Sequence, residues 1–264
     1  MKNRYSDKPQ MVKEILTVKE KTFLSPHYIR IILEGNIAPY AVAKIGDNNK
    51  IVLPNSENKI IFPEMSGDRN GITIRTYTTK NIDFENNTLT IDFVAHGEEG
   101  PASSWAINSK IGDPLGVLMK LKPKPLFLPA DNYFLVGDHT ALPVIGAILE
   151  QLPKDARGKA IIEVYAAEDT ISLEKPDGID VEWLYNKRPG EVEILPNAVE
   201  KYILPKGSKF IYVAAEQNAA NAIQQYLRNQ ENVERTEWQT YAYWKYGQSE
   251  DNSSTERRES MHKA

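Results

Sequence analysis

The hydrophobic period of this chain changes near residue 130, and that change constrains the fold more than any other feature. From Glu14 to about Pro129, apolar and polar residues alternate in short segments divided by turn residues, a pattern typical of antiparallel strands. Strands are predicted at 28–33, 50–53, 72–78 and 88–95, with one helix at 101–108. Because so many strand edges are best satisfied by closure, the first half is predicted to form a β-barrel.

Beyond residue 130 an apolar strand is followed by helical spacing. Strand 133–136 and helix 140–152 form a βα unit. Further strands are predicted at 160–166, 181–184, 210–214 and 236–246, and further helices at 198–203 and 218–229. This alternation indicates an α/β domain with a mostly parallel sheet. The proline-bearing stretch 120–130 sets the predicted domains at 1–129 and 130–247, with a polar tail at 248–264.

The absence of cysteine narrows the chemistry. With no Cys in 264 residues, the chain has no thiolate nucleophile and no Cys-ligated metal, so redox chemistry requires an organic cofactor; no metal centre is predicted. The net charge of −4 has the wrong sign for a nucleic-acid-binding protein. No apolar run approaches the ~20 residues that span a bilayer, and the first residues lack the apolar core of a secretion signal. We expect a cytoplasmic protein without membrane insertion or a nucleic-acid partner.

The segment Arg75-Thr76-Tyr77-Thr78 ends one of the predicted strands. A period of two residues places Arg75 and Tyr77 on one face and Thr78 on the other. An arginine for phosphate, an aromatic ring for stacking and a neighbouring hydroxyl suit a flavin nucleotide. A barrel strand with an exposed Arg–Tyr pair is the alternative interpretation.

A second segment, 96–106, follows strand 88–95 directly. The odd-numbered residues of that strand are apolar and form the core face, so Asp92, Val94 and His96 lie on a face that is open to a ligand.

Gly100 and Pro101 then begin a helix, because proline is tolerated at the first helical position. The N–H groups of Ala102 and Ser103 at its N-terminus suit a pyrophosphate. An ordinary capped helix, with His96 in a turn, is the alternative.

Together these segments resemble a known family. RTYT at 75–78, DFVAHGEEGPASSWA at 92–106 and YFLVGDHTALPVIGAILEQLP at 133–153 resemble the siderophore-interacting protein family, flavin reductases of the ferredoxin-reductase superfamily. The resemblance extends up to Gly247 and includes KIVLP, VEWLYNK and YWKYG. It implies an antiparallel six-stranded FAD-binding β-barrel followed by a parallel-sheet α/β domain that resembles an NAD(P)H-binding domain.

The resemblance also implies roles for individual residues. It places Arg75 on the FAD phosphates, Tyr77 against the ring system and Thr78 near flavin N5, which makes Tyr77 and Thr78 the predicted catalytic residues. The other residues that it places at FAD are Thr76, Asp92, Val94, His96, Gly97, Ala102, Ser103 and Trp105.

For the electron donor, the resemblance points to the carboxyl edge of the sheet, where α/β proteins bind ligands. It implies a nicotinamide-nucleotide site at Gly137, Asp138, Thr140, Ala141 and Glu216. The domain has no G-x-G-x-x-G motif, and the family's Ala-Gly-Glu turn reads Ala214-Ala215-Glu216 here. The sequence therefore does not distinguish between NADH, NADPH and reduced ferredoxin as the electron donor.

The activity that the resemblance implies is FAD-dependent reduction of ferric siderophores. Many ferric siderophores are anionic, so the residues predicted to attract one are basic: Lys50, Lys245, Arg257 and Arg258. We expect a monomer, with ferredoxin as the candidate protein partner. A general flavin reductase serving a protein partner and a non-catalytic siderophore-binding module are the alternatives.

Overall fold

The structure, a computed structural model, describes residues 10–64, 71–121 and 125–248. The chain divides into two compact units, one formed by residues 1–22 and 29–126 and the other by residues 23–28 and 127–264. The boundary that the prolines suggest at residue 129 stays a prediction. Within the described ranges, no helix combines the length and the apolar character that a membrane crossing requires.

The N-terminal part of the chain forms an antiparallel barrel. Its strands are β1 (Gln10–Ser25), β2 (Tyr28–Glu34), β3 (Asn48–Val52), β4 (Ile74–Asp83), β5 (Thr88–Val94) and β6 (Pro114–Leu121). They lie in the order β1-β2-β5-β4-β3-β6, and β6 pairs back with β1 to close the barrel. The six-stranded barrel is thus confirmed.

The barrel core follows from the alternation of side chains. Leu89, Ile91 and Phe93 of β5 are fully buried, and they belong to one apolar cluster with residues from the other strands. Burying each such side chain stabilises the fold by roughly 1.5–3 kcal/mol. Helix α1 (Pro101–Asn108) joins this cluster through Ala102 and Ala106, so its position is coupled to the core.

The second unit contains a parallel sheet with helices, which confirms the predicted α/β architecture. Its strands are β7 (Asn132–Gly137), β8 (Gly158–Val164), β9 (Ile179–Tyr185), β10 (Lys209–Glu216) and β11 (Trp238–Trp244). Its helices are α2 (Leu142–Gln151), α3 (Ile194–Lys201) and α4 (Gln217–Arg228). Apolar residues of α3 and α4 pack on one face of the sheet in a single cluster.

The strand order β11-β10-β7-β8-β9 creates a switch point in the middle of the sheet. The chain runs outward from β7 to β8 and β9, and then returns to add β10 on the other side of β7. Ala214 of β10 pairs with Gly137 of β7, so the carboxyl ends of these two strands are neighbours. Open α/β sheets bind ligands at such a point.

Several elements differ in extent from the sequence prediction. Helix α3 covers 194–201 instead of 198–203, and β4 continues to Asp83 instead of ending at 78. The 16-residue strand β1 was not predicted individually. Its outward positions include Met11 and Ile15, each 49% exposed, and apolar residues on the solvent face obscure the alternation.

Candidate functional site

Two motifs that are separate in the sequence meet at the ring of Phe93. The Tyr77 ring of β4 lies 4.5 Å from the Phe93 ring between centroids, at an interplanar angle of 42°. The Trp105 ring of α1 lies 5.7 Å from the same ring, at 45°. Tyr77 and Trp105 are only partly buried and pack against the barrel core. The barrel therefore brings together the RTYT strand and the GPASSWA helix.

The residues of the RTYT segment differ in their surroundings. Arg75 is partly buried, and its guanidinium donates a 2.8 Å hydrogen bond to the carbonyl of Ile74. Thr78 is 4% exposed, whereas Thr76 is exposed and its hydroxyl accepts a 3.0 Å hydrogen bond from Lys50 Nζ. Lys50 and Thr76 are direct partners across β3 and β4, so this predicted substrate lysine shares a strand face with Thr76.

The turn before α1 is held by the side chain of Ser103. Its Oγ accepts a 3.0 Å hydrogen bond from the His96 N–H and donates a 2.6 Å hydrogen bond to the Gly97 carbonyl. Gly97 has a φ of +98°, a conformation that favours glycine. The exposed imidazole of His96 lies so close to Gly100 that a Cβ there would be 2.4 Å from its Cε1. The backbone path thus favours glycine at 97, whereas a Cβ at 100 would require the exposed side chain of His96 to move.

The N-terminus of α1 has the chemistry of an anion site. The first bond within the helix runs from the Ser104 N–H to the Gly100 carbonyl, at 2.8 Å. The N–H groups of Ala102 and Ser103 precede it and have no acceptor inside the helix. The first turn contains no acidic residue and no side-chain cap on the helix. Such a terminus is suited to a phosphate group.

Asp92 differs from the sequence expectation of a side chain on an open face. Its side chain is 1% exposed, and both carboxylate oxygens accept 2.8 Å hydrogen bonds from Arg30. Arg30 lies on β2, which neighbours β5 in the barrel, so the order of the strands supplies a partner that the period of one strand does not reveal. Val94, the last residue of β5, is half-buried.

The buried carboxylate of Asp138 links several chain segments at the carboxyl edge of the parallel sheet. Asp138 Oδ1 accepts hydrogen bonds from the N–H and the hydroxyl of Thr140, at 2.9 and 2.5 Å. Asp138 Oδ2 accepts from the Glu216 N–H at 2.8 Å and from Trp244 Nε1 at 2.7 Å. Burial raises the pKa of Asp138, although these bonds oppose the shift. Through its bond from the Thr140 N–H, Asp138 caps the 3-10 turn His139–Ala141 that precedes α2.

Gly137 lets this turn approach the sheet closely. A Cβ on Gly137 would lie 2.4 Å from the Cβ of Ala141 and 2.8 Å from the carbonyl oxygen of Ala214. A larger residue would therefore push β7 away from the turn or from β10.

Glu216 caps the helix that follows β10. Its Oε2 accepts from the N–H groups of Asn218 and Ala219, at 2.5 and 3.3 Å, and its Oε1 accepts from the Tyr246 N–H at 3.2 Å. The side chain is buried. The structure thus brings together at one edge all five residues predicted at the donor nucleotide: Gly137, Asp138, Thr140, Ala141 and Glu216. The carboxylates of Asp138 and Glu216 are both hydrogen-bonded to the protein itself.

His139 is a buried acceptor at the same edge. Its Nε2 accepts a 2.7 Å hydrogen bond from the Tyr165 N–H, and its ring lies 4.0 Å from the Tyr165 ring. Burial lowers its pKa to about 4, so the imidazole is neutral at physiological pH. His139 is 7% exposed, so its ring is almost entirely enclosed by the protein.

Sequence reasoning missed Glu163, which lies on β8 near the same edge. Its pKa is raised to about 7, mainly by burial, with Asp138 adding to the shift and a hydrogen bond from Asn186 opposing it. Asn186 Nδ2 donates to Glu163 Oε1 at 3.1 Å, while Oε2 is buried without a hydrogen-bond partner among the described residues. A glutamate inside the apolar run AIIEVYA was the signal available in the sequence.

A second missed cluster surrounds Asp169. Asp169 Oδ1 accepts a 2.8 Å hydrogen bond from the Ser25 hydroxyl, and His27 Nδ1 lies 2.9 Å from Oδ2. Burial acts to raise the pKa of Asp169, but the hydrogen bonds from Ser25 and His27 outweigh it and lower that pKa. Nothing in the local sequence pairs residue 169 with residues 25 and 27.

Family profiles match both parts of the chain. Residues 17–120 match the siderophore-interacting FAD-binding domain, and residues 130–247 match the siderophore-interacting protein profile. The ferric vibriobactin reductase ViuB of Vibrio cholerae is 31% identical over 252 residues, which cover 92% of this chain and 93% of that protein. This chain belongs to the siderophore-interacting protein family.

Solved structures agree with that assignment. The siderophore-interacting protein SipS from Aeromonas hydrophila is 32% identical and has a TM-score of 0.82, with 95% of this chain and 98% of that chain covered. A ferredoxin-NADP+ reductase from Plasmodium falciparum has a TM-score of 0.62 at 12% identity, covering 88% of this chain and 96% of that one, and shows the fold alone. The resemblance inferred from the motifs is thus confirmed.

The barrel residues of this siderophore-interacting protein fit the FAD for which its first domain is named. They offer a guanidinium at Arg75, two helix N–H groups at Ala102 and Ser103, and a partly exposed ring at Tyr77. The cationic and N–H groups match the anionic pyrophosphate of FAD, and the aromatic ring matches its flat ring system.

The remaining predicted substrate residues are basic, and the sequence predicts no metal centre. Lys245 is half-buried after the end of β11, and its backbone forms an isolated bridge with Gln248. Arg257 and Arg258 lie outside the described residues. Among residues 10–64, 71–121 and 125–248, no group of three or more His, Asp or Glu side chains could hold a metal ion.

Proposed function

We propose that this chain is an FAD-dependent ferric-siderophore reductase. In this function, electrons from NADH, NADPH or reduced ferredoxin pass through FAD to siderophore-bound Fe(III), and Fe(II) is released for iron assimilation. The observation that carries the proposal is the convergence of Tyr77 and Trp105 on Phe93, at centroid distances of 4.5 and 5.7 Å. This contact joins the strand that offers an arginine and an aromatic ring to the helix that offers N–H groups to a phosphate.

The proposed roles of the barrel residues follow from their chemistry. Arg75 and the N–H groups of Ala102 and Ser103 neutralise the pyrophosphate, because charge-assisted hydrogen bonds to phosphate are strong. Tyr77 contacts the ring system, backed by Phe93. Thr78 contributes a hydroxyl close to the reacting part of the ring. Thr76, Val94, His96, Gly97 and Trp105 complete the proposed site, and Asp92 supports it through Arg30.

The chemistry of iron explains why reduction releases the metal. Siderophores hold Fe(III) through hard, anionic oxygens, and Fe(II) is a softer and weaker match for them. Each Fe(III) takes one electron, so one two-electron donation reduces two ferric ions. When bound, FAD supplies the link, because a flavin accepts two electrons and passes them on one at a time.

Basic residues are proposed to hold the anionic chelate. Lys50 is exposed, and its ammonium is fixed by the hydroxyl of Thr76 at 3.0 Å. Lys245, Arg257 and Arg258 are the other proposed contacts. Their positive charges raise the local concentration of an anionic ligand although the chain as a whole carries −4.

The donor site is proposed at the carboxyl edge of the sheet. Because the carboxylates of Asp138 and Glu216 are hydrogen-bonded within the protein, we propose that they shape this edge and do not contact the donor directly. Thr140 is half-buried in the turn after β7 and is the residue that a donor would meet, with Gly137 and Ala141 buried behind it. A monomer acting in the cytoplasm remains our prediction.

The test is anaerobic reduction followed by reoxidation. The purified protein should be yellow, and NADH, NADPH or reduced ferredoxin should bleach its flavin band. Ferric siderophore should then restore the band, and a ferrous-specific chelator should report Fe(II). A colourless protein that binds the siderophore would favour the binding module instead. Reduced protein that reoxidises with a carrier protein and ignores ferric chelates would favour a general flavin reductase.

A further inference from the structure

The side chain of Lys21 on strand β1 is hydrogen-bonded to the C-terminal end of α1. Lys21 Nζ donates hydrogen bonds to the carbonyl oxygens of Ala106, Ile107 and Ser109, at 3.3, 2.8 and 2.6 Å. These carbonyls belong to the last turn and the C-cap of the helix. The ammonium therefore satisfies backbone acceptors that helix geometry leaves without partners, and it places a positive charge at the negative end of the helix dipole.

The backbone of β1 holds the segment after the helix as well. The Val18 N–H donates to the Asp113 carbonyl at 2.9 Å, and the Gly112 N–H donates to the Val18 carbonyl at 2.8 Å. Burial lowers the pKa of Lys21, whereas the charge of Asp113 acts to raise it. The ammonium is thus partly withdrawn from water and directed at α1.

Helix α1 depends on such fixed ends. It spans only Pro101–Asn108, about two turns, and helices this short are marginal by themselves. Ser103 Oγ fixes its first turn to the backbone of His96 and Gly97, while Lys21 fixes its last turn to β1. Because the helix is only about two turns long, a shift of its C-terminus also changes the direction of the N–H groups of Ala102 and Ser103.

We propose that Lys21 is a positioning residue for FAD, which holds α1 so that its N-terminal N–H groups meet the pyrophosphate. The proposal rests on the function proposed above. Lys21 acts through the helix and at the end of α1 remote from the proposed phosphate contacts, so it is a positioning residue and not a catalytic one.

The proposal predicts a selective effect on flavins that carry the pyrophosphate. FAD has this group and riboflavin does not, so apo-protein is titrated with each by fluorescence. Lys21→Met should weaken FAD binding about tenfold, which corresponds to about 1.4 kcal/mol, and should change riboflavin binding less than twofold. Lys21→Arg, which keeps a cation that can donate to carbonyls, should restore most of the FAD affinity. Lys19→Met, at an exposed position two residues away on β1, is the matched control and should leave both affinities unchanged.

The outcomes separate this role from a general loss of structure. Far-UV circular dichroism and the thermal midpoint are recorded for each variant, and Lys21→Gln replaces Lys21→Met if the latter does not fold. The positioning role would be overturned if Lys21→Met weakened the binding of FAD and riboflavin equally, or if it left FAD affinity unchanged. In either case, FAD binding by the parent chain would leave the proposed function in place. Failure of the parent chain to bind FAD would overturn both.

Discussion

Trp244 Nε1 donates a 2.7 Å hydrogen bond to Asp138 Oδ2, and this bond ties the end of β11 to the turn after β7. The same oxygen accepts the N–H of Glu216 at the end of β10. One carboxylate thus holds the ends of three strands at the switch point of the sheet. Because the carboxylate is buried, each bond that it accepts replaces a bond to water that it has lost.

Replacing Asp138 with asparagine should loosen this edge. An amide offers one acceptor oxygen instead of two, so Asp138→Asn leaves at least one buried N–H donor facing an NH2 group. We expect the free energy of unfolding to fall by about 3 kcal/mol, as measured by urea denaturation. Asp155→Asn, at an exposed position in the same unit, is the control and should have little effect. Equal urea midpoints for the two variants would contradict the fastening role of Asp138.

Glu163 should make the protein less stable as pH rises towards neutrality. Burial raises the pKa of Glu163 from 4.5 to about 7, so the folded state binds this proton more tightly than the unfolded chain. Its stabilising contribution is complete below pH 4.5 and is lost as pH rises through 7. Glu163→Gln cannot ionise, so its stability relative to the parent should rise by about 3 kcal/mol between pH 4.5 and pH 8.

This gain is measured as the difference between variant and parent at each pH, from urea unfolding. His139, whose pKa burial lowers to about 4, gives the opposite pH dependence, and it cancels in that difference. Glu231→Gln, at an exposed position, provides the control. A difference that stays constant over this pH range would show that Glu163 does not titrate as described.

The Arg30–Asp92 pair should be asymmetric towards mutation. Arg30→Met leaves the Asp92 carboxylate, 1% exposed, without its cation, and an unpaired buried charge costs about 3–5 kcal/mol. Asp92→Asn leaves no buried charge behind, because the Arg30 side chain is 32% exposed and can reach water. Asp92→Asn should therefore lower the free energy of unfolding less than Arg30→Met does. The double variant should recover part of the loss seen in Arg30→Met. Chemical denaturation measures all three, and the idea fails if Asp92→Asn is the most damaging.

Arg75 should contribute to FAD affinity. Losing one charge-assisted contact to phosphate should weaken FAD binding in Arg75→Ala by about 1.5–3 kcal/mol, while Arg75→Lys should retain part of the affinity. Fluorescence titration of apo-protein measures the change, with Arg157→Ala at an exposed position as the control. Full FAD occupancy of Arg75→Ala after dialysis would refute the phosphate role.

Much of the fold follows from local sequence pattern. The alternation in β5 and the helical spacing after residue 140 reflect backbone geometry, and α1 has the bounds Pro101–Asn108 that the Gly-Pro start predicts. The motifs RTYT and GPASSWA also pointed to the family that the profiles confirm. These features depend on residues that are near one another in the chain.

The side-chain partners were decided by the tertiary structure. Arg30 and Asp92 are 62 residues apart, Asp138 and Trp244 are 106 apart, and Lys21 and Ser109 are 88 apart. Each pair forms because the order and register of strands bring two elements together, and a periodic pattern within one element carries no information about its neighbour. The sequence by itself therefore determined the elements and the family, whereas the folded chain determined which charged groups are paired, buried or left to meet a ligand.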